Sequence, residues 1–423
     1  MKKIFALILA LVIIAPIHHP HTSTSAQELP FRGLLEYQNL VLAPGSNESE
    51  MRFSFHNTHS VAWIAHRMLG SQAYSVTRAE STASVARRGQ YIHRVTLSGL
   101  LPSNTYEYLL MGPDGLQSSL YAFRTLDPSD FSFFIVGDIQ IGAGGVAEDA
   151  VSWQNTMNIA TSNFPDAGMI LSAGDQVHQG GSIGAFDSLF RPFQNPRSRL
   201  PFAPTVGNHD SGTRFFLEHH NLPNVSTFGT GATQMNYWFR HGSALFVVLN
   251  SNTTDINAHR QFLENTVQSN QDAVWKVLMF HHGPYTEFRA AHYAPKVAIR
   301  NTWIPVIDAL GFDIVLNGHC HAYNRTFHLI GGQPQMNQVQ LSDNTVLDPT
   351  GTVYFTFNSS VGNRFYSLAG RNPRPFTAAR NQAYLPNFSV ANVSDTSFTI
   401  TTFQVNPDGT ILEIDSYMII KSR

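Results

Sequence analysis

The amino-acid sequence predicts an N-terminal β-sandwich followed by an α/β domain. The first observation is a run of short strands with polar turns over residues 33–127. The second is a change near residue 129, after which short apolar runs alternate with segments of helical period. The chain has 423 residues, of which 43% are hydrophobic, so it is long enough to form more than one buried core.

The sandwich is predicted from strand-like alternation and from one turn. MRFSFHN at 51–57 and YIHRVTL at 91–97 alternate apolar and polar residues with the period of a half-buried strand. A Leu-Pro turn that leads into Thr105 and Tyr106 is typical of the tyrosine corner of immunoglobulin-like sandwiches. We therefore interpret residues 27–128 as one fibronectin-like β-sandwich. It contains no cluster of convergent polar residues, which favours an accessory role over catalysis.

The second domain, residues 129–423, combines buried strands with helices. The strand at 131–138 is followed by apolar residues at spacings of three and four between Val146 and Phe164, which predict an amphipathic helix. This alternation implies an α/β domain with a largely buried sheet. The later predicted strands are 167–175, 201–210, 244–251, 275–282, 312–321 and 352–360, with a closing hairpin over 396–420.

The N-terminus has the pattern of a cleavable signal peptide over residues 1–26. Two lysines precede an apolar run at 4–17, and small residues lead to a cleavage site after Ala26. An uncleaved membrane anchor is the alternative, although a span usually needs about 20 apolar residues. We therefore expect an exported protein with no membrane span after signal cleavage.

Composition excludes some partners and one kind of crosslink. Only 13% of the residues are charged and the formal net charge is -2, so no strong field indicates binding to nucleic acid or anionic membranes. Cys320 is the only cysteine, which rules out an intramolecular disulfide. The sequence does not indicate an oligomeric state.

Polar residues of metal-binding types follow five of the predicted strands. Ligands of open α/β sheets lie outside the carboxyl ends of strands, so these groups are expected to meet at one edge. Each motif alone is a common turn, but their order and placement together indicate a metal site. The motifs are Gly137-Asp138, Gly174-Asp175, Gly207-Asn208-His209-Asp210, His281-His282 and Gly318-His319-Cys320-His321.

This order of motifs resembles the calcineurin-like metallophosphoesterase superfamily. GHCHAYNR at 318–325, VLMFHHGPY at 277–285 and the preceding sandwich make it similar to the purple acid phosphatases in particular. The resemblance implies a catalytic domain of two mixed sheets flanked by helices. It also implies two metal ions that share one bridging carboxylate.

Carried over to this sequence, the resemblance implies that Asp175 bridges the two metals. His281 is preferred to His282 as a ligand because it follows Leu278 at the spacing of the family pattern. The first metal would bind Asp138 and His321, and the second Asn208, His281 and His319.

The resemblance also assigns residues that contact the substrate. His209 would contact the phosphate and help to protonate the leaving group, and His292 would line the pocket unless it is a surface histidine. Asp210 is expected to orient His209 through a hydrogen bond. For Arg325, a contact with the substrate phosphate and a structural salt bridge both remain open.

Two residues depart from the family pattern. His178 stands where purple acid phosphatases have a tyrosine that binds ferric iron. Because imidazole binds divalent metals well, we expect a colourless or weakly coloured protein with two divalent ions from among iron, zinc and manganese; alternatively His178 points away from the metal. Gln140 is expected to line the pocket, and Cys320 to pack away from it.

The sequence therefore predicts an exported phosphatase that hydrolyses small phosphate monoesters by attack of a metal-bound hydroxide. Phosphodiesterase or nucleotide hydrolase activity at the same site is the alternative, because the loops that shape the pocket decide between them. A non-catalytic exported binding protein with the same fold is the third hypothesis.

Overall fold

The computed structural model describes residues 31–422 apart from 195–199, 213, 230–234, 254 and 288–293. The predicted signal peptide lies outside the described residues. Within the described ranges, no helix combines the length and the apolar character needed to cross a membrane.

The N-terminal part consists of two sheets that share one apolar core. One sheet has six strands and the other has four, and Phe53 of the smaller sheet packs edge-on against Tyr108 of the larger one at 5.1 Å between ring centroids. The strands are β1 Gly33–Leu34, β2 Gln38–Pro44, β3 Met51–Asn57, β4 Trp63–Met68, β5 Ser75–Arg78, β6 Glu80–Ala83, β7 Tyr91–Leu97, β8 Thr105–Met111, β9 Leu116–Gln117 and β10 Tyr121–Arg124.

The tyrosine that suggested an immunoglobulin-like corner makes the hydrogen bond of such a corner. Tyr106 lies in β8, and its hydroxyl oxygen accepts a bond from the Leu101 amide at 2.8 Å. β3 and β7, the two strands recognised by alternation, pair antiparallel with Phe53 opposite Val95. The fibronectin-like type of this unit stays a prediction.

Two mixed sheets, as predicted for the α/β domain, and a separate two-stranded sheet of β19 and β20 follow in the described part of the chain. The eight-stranded sheet has the order β13-β12-β11-β25-β26-β27-β22-β21, and the seven-stranded sheet β14-β15-β16-β17-β23-β18-β24. The strands are β11 Asp130–Val136, β12 Ala167–Ser172, β13 Phe202–Pro204, β14 Tyr237–His241, β15 Ala244–Val248, β16 Trp275–His282, β17 Ile314–Gly318, β18 Tyr323–Thr326, β19 Leu329–Ile330, β20 Gln333–Pro334, β21 Val339–Ser342, β22 Thr345–Leu347, β23 Val353–Thr356, β24 Thr377–Asn381, β25 Asn387–Ser394, β26 Ser397–Val405 and β27 Ile411–Ile420.

Helices cover the outer faces of the two sheets. The predicted amphipathic helix is confirmed as α1, whose Trp153 packs with Phe134 on the outer face of the eight-stranded sheet. Trp303 packs with Phe280 on the outer face of the seven-stranded sheet. The helices are α1 Val146–Asn163, α2 Ile183–Leu189, α3 Phe215–His219, α4 Ile256–Gln268, α5 Ala294–Thr302 and α6 Ile304–Leu310.

The largest apolar cluster lies between the two sheets. Phe133 from β11 and Phe246 from β15 meet there edge-to-face at 5.5 Å between ring centroids. In β11 alternate residues face opposite layers, because Phe133 joins this central cluster while Phe134 joins the cluster under α1. The two sheets and the helices on their outer faces form four layers. The carboxyl ends of β11, β12, β16 and β17 lie at one edge of this arrangement.

α3 and the residues around it dock the α/β part of the chain onto the N-terminal unit. Glu218 is buried and accepts hydrogen bonds from the Ser84 hydroxyl at 2.7 Å and the Val85 amide at 2.8 Å. Arg94 donates to the Leu217 carbonyl at 2.6 Å, and the Asn221 side-chain amide donates to backbone oxygens of both β3 and β7. A polar and specific interface therefore fixes α3 on the four-stranded sheet.

Buried histidines lie at this interface. His56 and His219 have ring centroids 5.2 Å apart, and both residues are fully buried. Burial lowers the pKa of His219 to about 4, and burial together with the charge of His219 lowers that of His56 to about 2. Both side chains are therefore neutral in the folded protein over most of the acidic range.

We expect these histidines to make the protein less stable as the pH falls below about 6.5. Their pKa values in the folded state lie below the value in the unfolded chain. As the pH falls, the unfolded chain therefore binds protons first and is stabilised relative to the folded protein. Each such site costs about 1.4 kcal/mol per pH unit across that window. Urea unfolding at pH 7 and pH 5 should show a smaller pH dependence for His56→Phe than for wild type.

His59→Phe is the matched control, because His59 lies half-exposed in the loop after β3. It should keep the wild-type pH dependence. An identical pH dependence in His56→Phe and His59→Phe would show that the buried ring contributes nothing.

Candidate metal centre

The predicted ligand residues meet at the shared carboxyl edge of the two sheets. Asp138 and Asp175 follow β11 and β12 of the eight-stranded sheet, whereas His281 lies at the end of β16 and His319 directly follows β17 of the seven-stranded sheet. Asp138 and His281 are fully buried, and Asp175 is 1% exposed. The site is thus built from both halves of the domain.

Four potential ligand atoms form a tight cluster in one half of this site. His281 Nε2 lies 3.2 Å from Asp175 Oδ2, 3.1 Å from Asn208 Oδ1 and 3.3 Å from His319 Nδ1. Asn208 Oδ1 is also 3.0 Å from His319 Nδ1. Ligands bonded at about 2.1 Å in tetrahedral or octahedral geometry are separated by about 3.0–3.4 Å, so this donor set fits one metal ion.

The protonation of His281 supports the same interpretation. Its Nδ1 donates to the Ala173 carbonyl at 2.9 Å, so in the neutral ring Nε2 directs a lone pair at two oxygen acceptors. Burial opposes a positive charge here, but the Asp175 carboxylate outweighs it and raises the pKa of His281 to about 9. The cluster therefore attracts a cation, which is a proton when no metal is bound.

Asp138 and His321 form the other half. His321 Nε2 lies 3.3 Å from Asp138 Oδ1, and His321 Nδ1 donates to the Arg364 carbonyl at 2.7 Å. The Asp138 carboxylate also accepts from the His319 amide, with 2.8 Å to Oδ2. Both carboxylate oxygens of Asp175 have partners, because Oδ1 accepts from the His209 amide at 2.8 Å while Oδ2 faces His281.

The backbone around the site is strained. Five of its non-glycine residues have positive φ, a conformation that costs about 1–3 kcal/mol each and persists where the surroundings enforce it. They are Asp138 (φ 40°), Gln140 (φ 48°), Asp175 (φ 50°), His319 (φ 72°) and His321 (φ 42°).

Two glycines allow the close approach of chains at the site. A Cβ on Gly207 would lie 2.0 Å from Asp175 Oδ1, and a Cβ on Gly318 would lie 2.7 Å from Asp138 Oδ2. Any side chain at either position would displace a carboxylate of the site.

The two residues that depart from the family pattern lie beside the cluster. The His178 ring stacks on His209 with 4.7 Å between centroids. Among the described residues, His178 Nδ1 and both polar side-chain atoms of Gln140 are buried without a hydrogen-bond partner. Such orphaned groups fit a site that binds a metal ion or ordered water.

The prediction that Asp210 orients His209 through a hydrogen bond is wrong. Asp210 makes no bond to the His209 ring; its carboxylate accepts from the Val177 amide at 3.1 Å and the Gly207 amide at 2.9 Å. His209 Nδ1 instead bonds the His178 carbonyl at 2.8 Å. Burial, followed by the nearby charge of Asp175, raises the pKa of Asp210 to about 7. Asp210 thus ties the loop after β13, residues 205–210 and here called the ligand loop, to Val177. A backbone carbonyl orients His209.

Four other residues were singled out in the sequence, and each has its own outcome. Arg325 forms a buried salt bridge with Asp415 at 2.7 Å, which decides between its two possible roles. Cys320 is buried, and burial raises the pKa of its thiol. His282 bonds the Ser251 hydroxyl at 2.8 Å and does not join the four-atom cluster. His292 lies outside the described residues.

No sequence pattern indicated the loop that orients His321. The loop follows β23 and contains Asn363, Arg364 and Tyr366, none of which is a typical metal ligand. The Tyr366 ring lies 4.7 Å from the His321 ring. The Gln382 side chain donates to the carbonyls of His321 and Tyr366 at 2.6 and 2.7 Å.

Comparison with known proteins finds similarity to the calcineurin-like phosphoesterases and, among them, to purple acid phosphatases. Residues 131–323 match the family model of calcineurin-like phosphoesterases. The chain is 25% identical over 318 residues to purple acid phosphatase 15 of Arabidopsis thaliana, covering 64% of this chain and 54% of the relative. It is 22% identical over 344 residues to a phosphoenolpyruvate phosphatase of Allium cepa, covering 77% and 68%.

Solved structures show the same fold. A purple acid phosphatase isolated from yellow lupin (Lupinus luteus) seeds superposes with a TM-score of 0.70 at 15% identity, covering 92% of this chain and 75% of the lupin chain. PhoD superposes with a TM-score of 0.61 at 13% identity, covering 91% and 90%. The chain spans 54% and 64% of the lengths of the Arabidopsis purple acid phosphatases 15 and 22.

We expect Gly207→Ala to reduce metal retention, because the new methyl group would overlap Asp175 Oδ1. Gly184→Ala is the matched control, since a Cβ at Gly184 meets nothing within 4 Å. Metal content of both purified variants should be measured by elemental analysis, with circular dichroism to check folding. Wild-type metal content in a folded Gly207→Ala protein would contradict the close packing described for Asp175.

Proposed function

We propose that this chain, a purple acid phosphatase-like protein of the calcineurin-like metallophosphoesterase superfamily, is an exported phosphatase that hydrolyses phosphate monoesters at a two-metal centre. Residues 27–128 would be the fibronectin-like N-terminal domain and residues 129–423 the catalytic domain. Export rests on the signal-peptide pattern of residues 1–26. The substrate would be a small-molecule phosphate ester.

The observation that carries the proposal is the convergence of Asp175, Asn208, His281 and His319, whose donor atoms lie 3.0–3.3 Å apart. Mixed carboxylate, amide and imidazole donors suit divalent iron, zinc or manganese better than magnesium or calcium. We assign these four residues to the second metal. Asp138, His178 and His321 would hold the first metal together with the bridging Asp175.

When bound, the two metal ions would neutralise charge on the phosphate ester and activate water. The chain's own residues would position the ester around them. His209 donates through Nδ1 to the His178 carbonyl, so only its Nε2 can exchange a proton with a substrate. His209 is half-buried, which keeps it reachable by a leaving-group oxygen.

Asp175→Ala should abolish both metal retention and turnover of p-nitrophenyl phosphate. The substitution removes the carboxylate that we propose to bridge the two metals, so we expect kcat/KM to fall at least about 100-fold. Asp166→Ala is the control, because the Asp166 side chain is 89% exposed in its ion pair with Arg124. Full activity in a folded Asp175→Ala protein would refute the mechanism.

We also expect the iron-loaded wild-type protein to lack an intense visible absorption band. Such a band arises from a phenolate ligand, and imidazole at His178 cannot supply it. His178→Tyr should introduce the band when the protein is loaded with ferric iron, and His178→Phe should not. An intense band in the wild-type protein would contradict divalent occupancy beside His178.

A further inference from the structure

A basic segment borders the first metal pocket. Residues 361–380 contain four arginines and no carboxylate, although the chain as a whole has a net charge of -2. Arg380 is neutralised by Glu287, at 2.9 Å between Nη1 and Oε2. Arg364, the arginine of the segment closest to the ligand His321 in the hydrogen-bond network, has no ion-pair partner among the described residues.

The backbone that carries Arg364 is fixed to the centre. The Arg364 carbonyl accepts from His321 Nδ1 at 2.7 Å, and the preceding Asn363 donates through Nδ2 to the Gln140 carbonyl at 3.1 Å. The Gln382 side chain ties the Tyr366 carbonyl to that of His321. The loop is thus held on both sides of Arg364, which presents its side chain from a rigid base.

The Arg364 side chain extends from this base toward solvent beside the pocket. Its guanidinium carbon lies 5.5 Å above the Tyr366 ring, whose centroid is 4.7 Å from that of His321. The Arg364 side chain is exposed. An exposed guanidinium therefore stands over Tyr366, next to the ring of the candidate ligand His321.

We propose that Arg364 forms an anion subsite that binds a second phosphoryl group of the substrate. The planar guanidinium can make two parallel hydrogen bonds to a phosphate, and stacking on Tyr366 limits the freedom it loses on binding. The preferred substrates are then small esters that carry a second phosphoryl group on the leaving side. This inference rests on the proposed phosphatase function and names its substrate class.

The test compares fructose 6-phosphate with fructose 1,6-bisphosphate, which differ by one phosphoryl group. Wild type, Arg364→Ala, Arg364→Lys and the control Arg371→Ala are loaded with the same metal. Arg371 is an exposed arginine of the same segment, so its replacement removes the same charge farther along the chain. Arg364→Ala should raise KM for the bisphosphate by about 10-fold more than for the monophosphate, with Arg364→Lys between it and wild type.

Arg371→Ala should leave the ratio of the two KM values unchanged. An equal loss on both esters in Arg364→Ala, or the same change in Arg371→Ala, would overturn the subsite. Calorimetric binding of methylenediphosphonate and methylphosphonate gives a readout without turnover. A wild-type protein that hydrolyses neither ester would count against the phosphatase function. In that case an Arg364-dependent preference for the diphosphonate would still support the subsite. If the protein showed no such preference, the subsite would be refuted.

Discussion

The candidate metal centre depends on electron-pair donors that the fold holds 3.0–3.3 Å apart. The carboxylate of Asp175 and the lone pair of His281 Nε2 face one another at 3.2 Å in a buried site. In water such groups would separate. In a buried site an unbalanced charge costs much more free energy, so the pair needs a bound cation or a proton. Here the aromatic cluster around Phe133 and Phe246 packs the two sheets together, which holds in place the backbone segments that carry these donors.

The strained residues follow from the same constraint. A ligand that must turn back toward a shared point directly after a strand cannot keep extended dihedral angles, and Asp138 and Asp175 adopt φ of 40° and 50°. Glycine would relieve the strain but would provide no ligand. The sequence instead places glycine next to the ligands, as at Gly207, where a neighbouring backbone must pass close to a carboxylate.

Local patterns were enough to locate these strands, though not all of their ends. Apolar runs and their periods located β11, β12, β16 and β17, and the polar residues after them are the candidate ligands. The predicted strand at 201–210 was too long, since pairing stops at Pro204 and the following residues form the ligand loop.

Contacts between residues distant in sequence were not predictable in this way. The partners of Asp210 are backbone amides that carry no sequence signal. The His321–Arg364 bond joins residues 43 positions apart. The interface histidines His56 and His219 come from different domains, and each alone has the appearance of an ordinary strand or helix residue.

The docking of α3 links the N-terminal unit to the segment that carries the candidate ligand Asn208. Only a short stretch separates Asp210 from Glu218, which is bonded to residues 84–86 of the sandwich. Exchange of the sandwich for that of a related protein would therefore alter the anchoring of the loop that carries Asn208. We therefore expect chimeras to fold better when they are joined outside the sandwich and the α/β part that docks on it than when they are joined at residue 128.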